Sequence, residues 1–151
     1  MIVRSDFAVA CITQGKTLLW RHGVGNEELA EHLTPPVELD HRHVRTGQND
    51  HGHDTAHRYP DYFEGIAEAL RDFQVILIIG HGHGKASFAS TFLNYLHRKH
   101  PDIYGRVVDS LNLNLPAMSE AEIRGSARQW YEMHYGKLAT WHSRQPKKWL
   151  T

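Results

Sequence analysis

The chain has 151 residues, no formal net charge with histidine neutral, and one cysteine, with 40% hydrophobic and 23% charged residues. This length fits a single domain, and the composition excludes a disordered tail or a membrane protein. Equal numbers of basic and acidic residues argue against a strongly basic nucleic-acid-binding domain, although the 13 histidines make the surface more cationic near pH 6. The single cysteine excludes an internal disulfide. Together with an N-terminus that lacks a long apolar segment, it favours a cytoplasmic location.

The N-terminal part predicts a β-hairpin followed by a third strand. Residues 7–13 alternate as a strand does, and residues 16–21 follow a turn signal as its antiparallel partner. The polar residues 23–32 predict a short helical turn. Pro35-Pro36 stops regular structure, and the alternation over residues 37–44 predicts the third strand.

The following segment, residues 45–58, has no apolar periodicity and contains closely spaced histidines, arginines and aspartates. We expect a long exposed loop there, which in a compact domain is usually functional or disordered. Beyond it, apolar residues at helical spacing predict a helix over residues 59–72.

The C-terminal half alternates strands with helices. Residues 74–80 form a near-continuous apolar run, which predicts a central strand covered on both faces. Helix 85–99 and strand 106–111 follow, and the capping box Ser119-x-x-Glu122 opens a last helix that extends to about residue 134. Its buried stripe is expected to consist of Ile123, Ala127, Trp130 and Tyr131.

This order of elements predicts one α/β domain over residues 1–135, with a basic extension over residues 136–151. The predicted architecture is a three-layer mixed sheet with helices on both faces. Cys11 lies within an apolar strand, so we expect a core residue rather than a nucleophile. Asp109 is predicted at a strand end, either as an exposed carboxylate or as a cap of the following loop.

The turn after the central strand reads Gly-His-Gly-His-Gly-Lys over residues 80–85. It fails the Walker A pattern, because Ile79 stands where that motif needs glycine and Ala86 where it needs serine or threonine. A dinucleotide fingerprint also fails, at Lys85. Two interpretations stay open: glycines that make a tight strand-to-helix connection, or an anion contact by His81, His83 and Lys85 at a helix N-terminus.

A second candidate site is a group of five histidines interspersed with aspartates. Its members are His41, His43, His51, His53 and His57. Imidazoles and carboxylates at this density can hold zinc or nickel. The spacing matches no structural zinc motif, so a solvated polar loop is the alternative.

Residues 75–85, with the strand-end motif Val107-Val108-Asp109 and the helix from Glu120 to Ala127, resemble a known domain. It is the middle domain of archaeal and eukaryotic (Pelota-like) peptide-chain release factors, and the resemblance is closer to small bacterial stand-alone relatives of that domain. The resemblance covers about residues 59 to 134 and implies a ribonuclease H-like fold. It also implies a translation-associated accessory domain, because the stop-codon-reading and partner-binding domains have no counterpart in 151 residues.

The resemblance further implies a binding surface for RNA or the ribosome, with tRNA or rRNA as the partner. The residues expected to contact RNA or an anion are Arg45, Gly47, Gln48, Arg58, Gly82, His83 and Lys85. The alternative is a hydrolase that uses residues 41–58. It would be either metal-assisted or an esterase of peptidyl-tRNA in which Gln48 orients water, although Thr46 stands where the release-factor loop has its first glycine.

Overall fold

The computed structural model describes residues 6–25, 28–35, 51–82 and 87–134, and over residues 51–59 it describes the backbone alone. The strands are β1 (Phe7–Ile12), β2 (Thr17–Trp20), β3 (Glu31–Leu33), β4 (Val75–Gly80) and β5 (Val107–Asn112). The helices are α1 (His51–Leu70), α2 (Phe88–Lys99), α3 (Pro101–Tyr104) and α4 (Glu120–His134), with a 3-10 turn over Leu115–Ala117.

The five strands form one mixed sheet in the order β3-β2-β1-β4-β5. The β1–β2 and β2–β3 pairs are antiparallel, whereas β4 is parallel to both β1 and β5. Helices α1 and α2 are the crossovers that parallel strands require. The predicted α/β class and mixed sheet are confirmed, while the finer ribonuclease H-like assignment stays a prediction. The predicted extension over 136–151 lies outside the described residues.

Each face of the sheet has its own hydrophobic core. On one face Ala8, Ala10 and Ile12 of β1 pack with residues of α1 and α2. On the other face Phe7, Val9 and Cys11 pack with residues of α4. Every residue of β1 and β4 is therefore buried, which confirms the predicted strand covered on both faces over residues 75–80, while Gln74 lies outside the strand and is exposed.

The capping box at the start of α4 forms as the sequence predicts. The Ser119 N–H donates to the Glu122 carboxylate (2.7 Å), and the Glu122 N–H donates to Ser119 Oγ (3.1 Å). The predicted buried stripe of α4 is also confirmed, because Ile123, Ala127, Trp130 and Tyr131 are all buried.

The prediction for Asp109 was wrong in both of its forms. This residue lies inside β5, where it is half-buried, and its Oδ2 accepts a hydrogen bond from Trp130 Nε1 (2.8 Å). Its Oδ1 accepts the Ser110 N–H (2.8 Å). The carboxylate therefore anchors α4 to the sheet and does not cap a loop.

One edge of the sheet is formed by a strand that the sequence did not predict. Glu31–Leu33 forms this edge strand and overlaps the end of the stretch, residues 23–32, that was expected to be a helical turn; the predicted strand over residues 37–44 lies outside the described residues and stays a prediction. This strand pairs with β2, and an ion pair between Arg21 Nη2 and Glu31 Oε1 (2.6 Å) supports it. A short polar edge strand has no apolar alternation, so hydropathy carries no signal for it.

The predicted exposed loop over 45–58 is wrong from residue 51 onward, because α1 already begins at His51; residues 45–50 lie outside the described residues. Pro60 stands inside this helix. A helix anchored by packing farther along can extend through a polar segment at little cost, since elongation is far easier than nucleation. None of the described helices combines the length and apolar character needed to cross a membrane.

Candidate functional site

A cleft of about 530 Å³ lies at the carboxyl-terminal edge of the sheet. Strands β1, β4 and β5 are mutually parallel, so their carboxyl ends meet at this edge, where α/β proteins commonly bind ligands. The volume falls within the range of small-molecule sites. The apolar wall includes Cys11, Leu18, Phe88, Leu115, Met118 and Ile123, and the polar lining consists of Thr13, Gln14, Lys16, His81 and Glu120.

The turn after β1 holds Lys16 at the rim of the cleft. The Thr13 hydroxyl donates to the Lys16 carbonyl (2.8 Å) and accepts the Lys16 N–H (3.2 Å). The Tyr62 hydroxyl of α1 donates to the Thr13 carbonyl (2.9 Å) and lies 2.8 Å from the hydroxyl of buried Thr17. The backbone at Lys16 is therefore fixed, while its side chain is free to reach a ligand.

His81 directly follows β4 and supplies a second basic group at the cleft. Its Nδ1 lies 3.0 Å from the Leu113 carbonyl oxygen. Because a carbonyl only accepts, Nδ1 carries the hydrogen, and Nε2 is the ring nitrogen left for a ligand. The Leu113 N–H in turn donates to the Gly80 carbonyl (2.9 Å), which joins the segments after β4 and β5.

The two glycines that flank His81 are required for different structural reasons. A Cβ at Gly80 would lie 2.4 Å from the Ala89 Cβ, so the missing side chain lets the first turn of α2 approach the end of β4 closely. Gly82 has a φ of +93°, a backbone conformation that side chains disfavour, and a Cβ there would meet nothing within 4 Å. The turn therefore needs glycine at 80 for space and at 82 for conformation.

Glu120 places a carboxylate at the rim, at the N-terminus of α4. This carboxylate accepts the Ala30 N–H (3.2 Å) and lies 3.2 Å from His32 Nε2. These contacts and the positive end of the helix dipole offset its charge. Glu120 therefore ties α4 to the segment around β3, and Lys16 and His81 are the basic side chains among the described residues that line the cleft.

Cys11 lines the inner wall of the cleft without being a nucleophile. It is buried, and burial raises the pKa of its thiol to about 12. The thiol is therefore protonated at neutral pH, and only the thiolate is reactive. The prediction that Cys11 is a core residue is confirmed.

Most of the residues predicted to act lie outside the described part of the chain. His41, His43, Arg45, Gly47, Gln48, His83 and Lys85 belong to that group. The backbone positions of His51, His53, His57 and Arg58 lie in α1. Among the side chains that the structure describes, no group of three His, Cys, Asp or Glu residues could hold a metal ion. Zinc or nickel binding at the histidines, like the role of Gln48, stays a prediction.

Sequence reasoning missed Thr13, Lys16 and Glu120. Thr13 and His81 each directly follow one of the parallel strands of the sheet. Because the carboxyl ends of parallel strands meet at one edge, the sequence positions alone would have placed both residues at that edge. Glu120 could not have been found in this way, because its approach to the cleft depends on the position of α4.

A separate cluster of polar side chains joins α1 to the carboxyl-terminal half of α2. The Tyr95 hydroxyl donates to the Glu64 carboxylate, and His100 Nε2 lies 2.9 and 3.0 Å from the two Glu64 oxygens. The hydrogen bond from Tyr95, followed by that from His100, holds the pKa of Glu64 below its usual value. Burial and the bond to Glu64 raise the pKa of Tyr95 to about 12.

We expect the substitution Tyr95→Phe to raise the pKa of Glu64 toward 4.5, its ordinary value. Because folding lowers this pKa, Glu64 stabilises the wild-type fold above pH 4.5, and that contribution disappears as pH falls through the folded-state pKa. An NMR titration of the Glu64 carboxyl carbon measures the change. Asn94→Ala, an exposed change on the same helix, should leave the titration as it is; an unshifted midpoint in Tyr95→Phe would contradict the assignment.

No family model and no curated protein matches this chain. Among solved structures, it is similar to Pelota from Archaeoglobus fulgidus, with 14% sequence identity and a TM-score of 0.47. The similar region covers 88% of this chain, which spans 37% of the length of that Pelota chain.

Proposed function

We propose that the protein is a translation-associated accessory domain that binds RNA or the ribosome through the carboxyl-terminal edge of its sheet. The observation that carries the proposal is the pair of basic side chains, Lys16 and His81, at one cleft. His81 belongs to the glycine turn for which an anion contact was one of the two interpretations of the sequence. Phosphate groups on RNA are the anions that such a surface meets in a translation-associated protein.

Two further features support this proposal. The resemblance of residues 59 to 134 to release-factor middle domains suggests the translation apparatus as the setting. Positive charge is added by Lys85 in the glycine turn, by Arg58 in α1, and by Arg45, which precedes α1 in sequence. With formal net charge zero, binding must come from a local surface, so it should be moderate in strength and strongly dependent on salt.

The test is co-sedimentation of the full chain with ribosomes, and binding to tRNA, measured between about 50 and 200 mM salt. We expect binding that weakens as salt rises, at pH near 6 and near 7.5. Lys16→Ala should weaken it and reduce the slope of log K against log salt by about 1, the effect of losing one phosphate contact.

Lys99→Ala is the matched control, because it removes the same charge at the far end of α2. It should leave the salt slope unchanged. Absence of salt-sensitive binding to ribosomes and tRNA at both pH values would disprove the proposed function. Equal effects of the two lysine substitutions would instead disprove the assignment of the surface.

A further inference from the structure

Glu120 presents its carboxylate to the cleft as well as anchoring α4. The Ala30 N–H donates to Oε2 (3.2 Å), and His32 Nε2 lies 3.2 Å from Oε1. These contacts use two of the roughly four acceptor positions that a carboxylate has. The side chain is 34% exposed and lines the cleft, so acceptor positions remain for a hydrogen-bond donor on a bound ligand.

The register of the sheet shows where this carboxylate lies relative to the apolar part of the cleft. Cys11 pairs with Leu18, and Leu18 pairs with His32, so the three residues lie side by side across β1, β2 and β3. Directly paired residues share one face of a sheet. This is the face covered by α4, because Cys11 and Leu18 belong to the same core as Ile123. Since His32 is the residue that contacts Glu120, the carboxylate lies on the β3 side of the apolar floor.

The basic side chains lie at another part of the same cleft. Lys16 immediately precedes β2, and His81 directly follows β4. The cleft therefore combines basic groups, an apolar wall and a hydrogen-bond acceptor. A purely cationic ligand would be repelled by Lys16, and a purely anionic one by Glu120. A nucleotide of single-stranded RNA matches all parts of this lining, because it carries phosphate charge, an apolar ring face and hydrogen-bond donors on its base.

We propose that the cleft takes one unstacked base of single-stranded RNA and that Glu120 selects cytosine over uracil at this position. Cytosine has an amine where uracil has a carbonyl oxygen, and the two rings are otherwise similar in shape. The cytosine amine donates to the Glu120 carboxylate, whereas the uracil oxygen would face it as one acceptor against another. Leu115 and Met118 pack against the ring, and Lys16 contacts an adjoining phosphate. The choice of RNA as the ligand rests on the proposed function.

The experiment is fluorescence anisotropy of the full chain with labelled oligocytidylate and oligouridylate of equal length, near pH 7.5 and at about 50 mM salt. Both oligonucleotides carry the same phosphate charge, so a difference in affinity reports the base. We expect oligocytidylate to bind about tenfold more tightly, the usual effect of one hydrogen bond to a charged group. Equal affinity, or tighter binding of oligouridylate, would overturn the proposal. This comparison uses the wild-type protein and does not depend on the folding of a variant.

Glu120→Gln tests whether Glu120 is the selecting residue. The amide keeps the size of the side chain and an oxygen for the Ala30 N–H, and its NH₂ group can donate to the uracil oxygen. The ratio of the two affinities should therefore fall to about 1, because the amide pairs with either base. Unfolding midpoints of the variant and the wild type are measured alongside, since the carboxylate also anchors α4.

Glu132→Gln is the matched control. It makes the same chemical change on α4, about 18 Å farther along the helix, where the side chain contacts Arg128. This variant should keep the roughly tenfold preference for oligocytidylate. An unchanged preference in Glu120→Gln, or an equal loss in both variants, would refute the role of Glu120.

The base selection and the proposed function fail through different results. Salt-sensitive binding to ribosomes, combined with equal affinity for the two oligonucleotides or with no binding of either, would disprove the base selection and leave the proposed function standing. Absence of binding to ribosomes, tRNA and both oligonucleotides would disprove both proposals.

Discussion

Replacing Trp130 with alanine is expected to lower the free energy of unfolding by about 3–5 kcal/mol, as truncation of a buried large aromatic side chain usually does. Trp130 is 5% exposed on the inner face of α4. Its ring is parallel to that of Phe7 in β1 (centroids 6.2 Å apart), and its Nε1 donates to Asp109 in β5. Loss of this side chain therefore removes both the packing and the polar contact that anchor α4 to the sheet.

Trp130→Phe separates these two contributions, because it keeps an aromatic ring against Phe7. It leaves Asp109 Oδ2 half-buried without the indole donor, so we expect a smaller loss of about 1–3 kcal/mol. Urea unfolding followed by circular dichroism measures both variants. A loss below about 1 kcal/mol for the alanine variant would contradict the anchoring role, since buried aromatic truncations rarely cost so little.

The same helix contributes to the cleft, so its anchoring has a functional consequence. Glu120 and Ile123, at the amino-terminal end of α4, line the cleft. Displacement of α4 by Trp130→Ala should therefore weaken ligand binding as well as stability. A folded variant with unchanged binding to ribosomes would show that the wall formed by α4 is dispensable.

The substitution Gly80→Ala is expected to cost about 1–3 kcal/mol of stability, the usual range for overpacking. The new Cβ would lie 2.4 Å from the Ala89 Cβ, which is shorter than any real contact, so the first turn of α2 must move away from β4.

Gly65→Ala is the control for this substitution. Gly65 lies at an exposed position of α1, and a Cβ there would meet nothing within 4 Å. Alanine is the better helix former, so this variant should gain about 0.5–1 kcal/mol. Opposite signs for the two variants in thermal unfolding would support the steric interpretation, whereas a neutral Gly80→Ala would contradict the close approach of α2 to β4.

Several parts of the fold were predictable because each follows from the hydropathy or residue spacing within a single segment of the sequence. The apolar run over 74–80 indicates burial on both faces, whichever segments of the chain pack against it, and β4 is buried throughout. The capping box at Ser119 and Glu122 involves residues three apart, so its geometry depends on the helix alone. The buried stripe of α4 follows from helical periodicity in the same way.

The sequence by itself therefore determined the α/β class, the buried strand and the capped last helix. Only the tertiary structure decided the edge strand Glu31–Leu33, the early start of α1 at His51 and the bond from Trp130 to Asp109. The cleft belongs to this second group, since it combines Lys16, His81 and Glu120 from distant segments. The physical reason is the same in each case: these features depend on which chain segments meet in space, and periodicity along one segment carries no information about its partner.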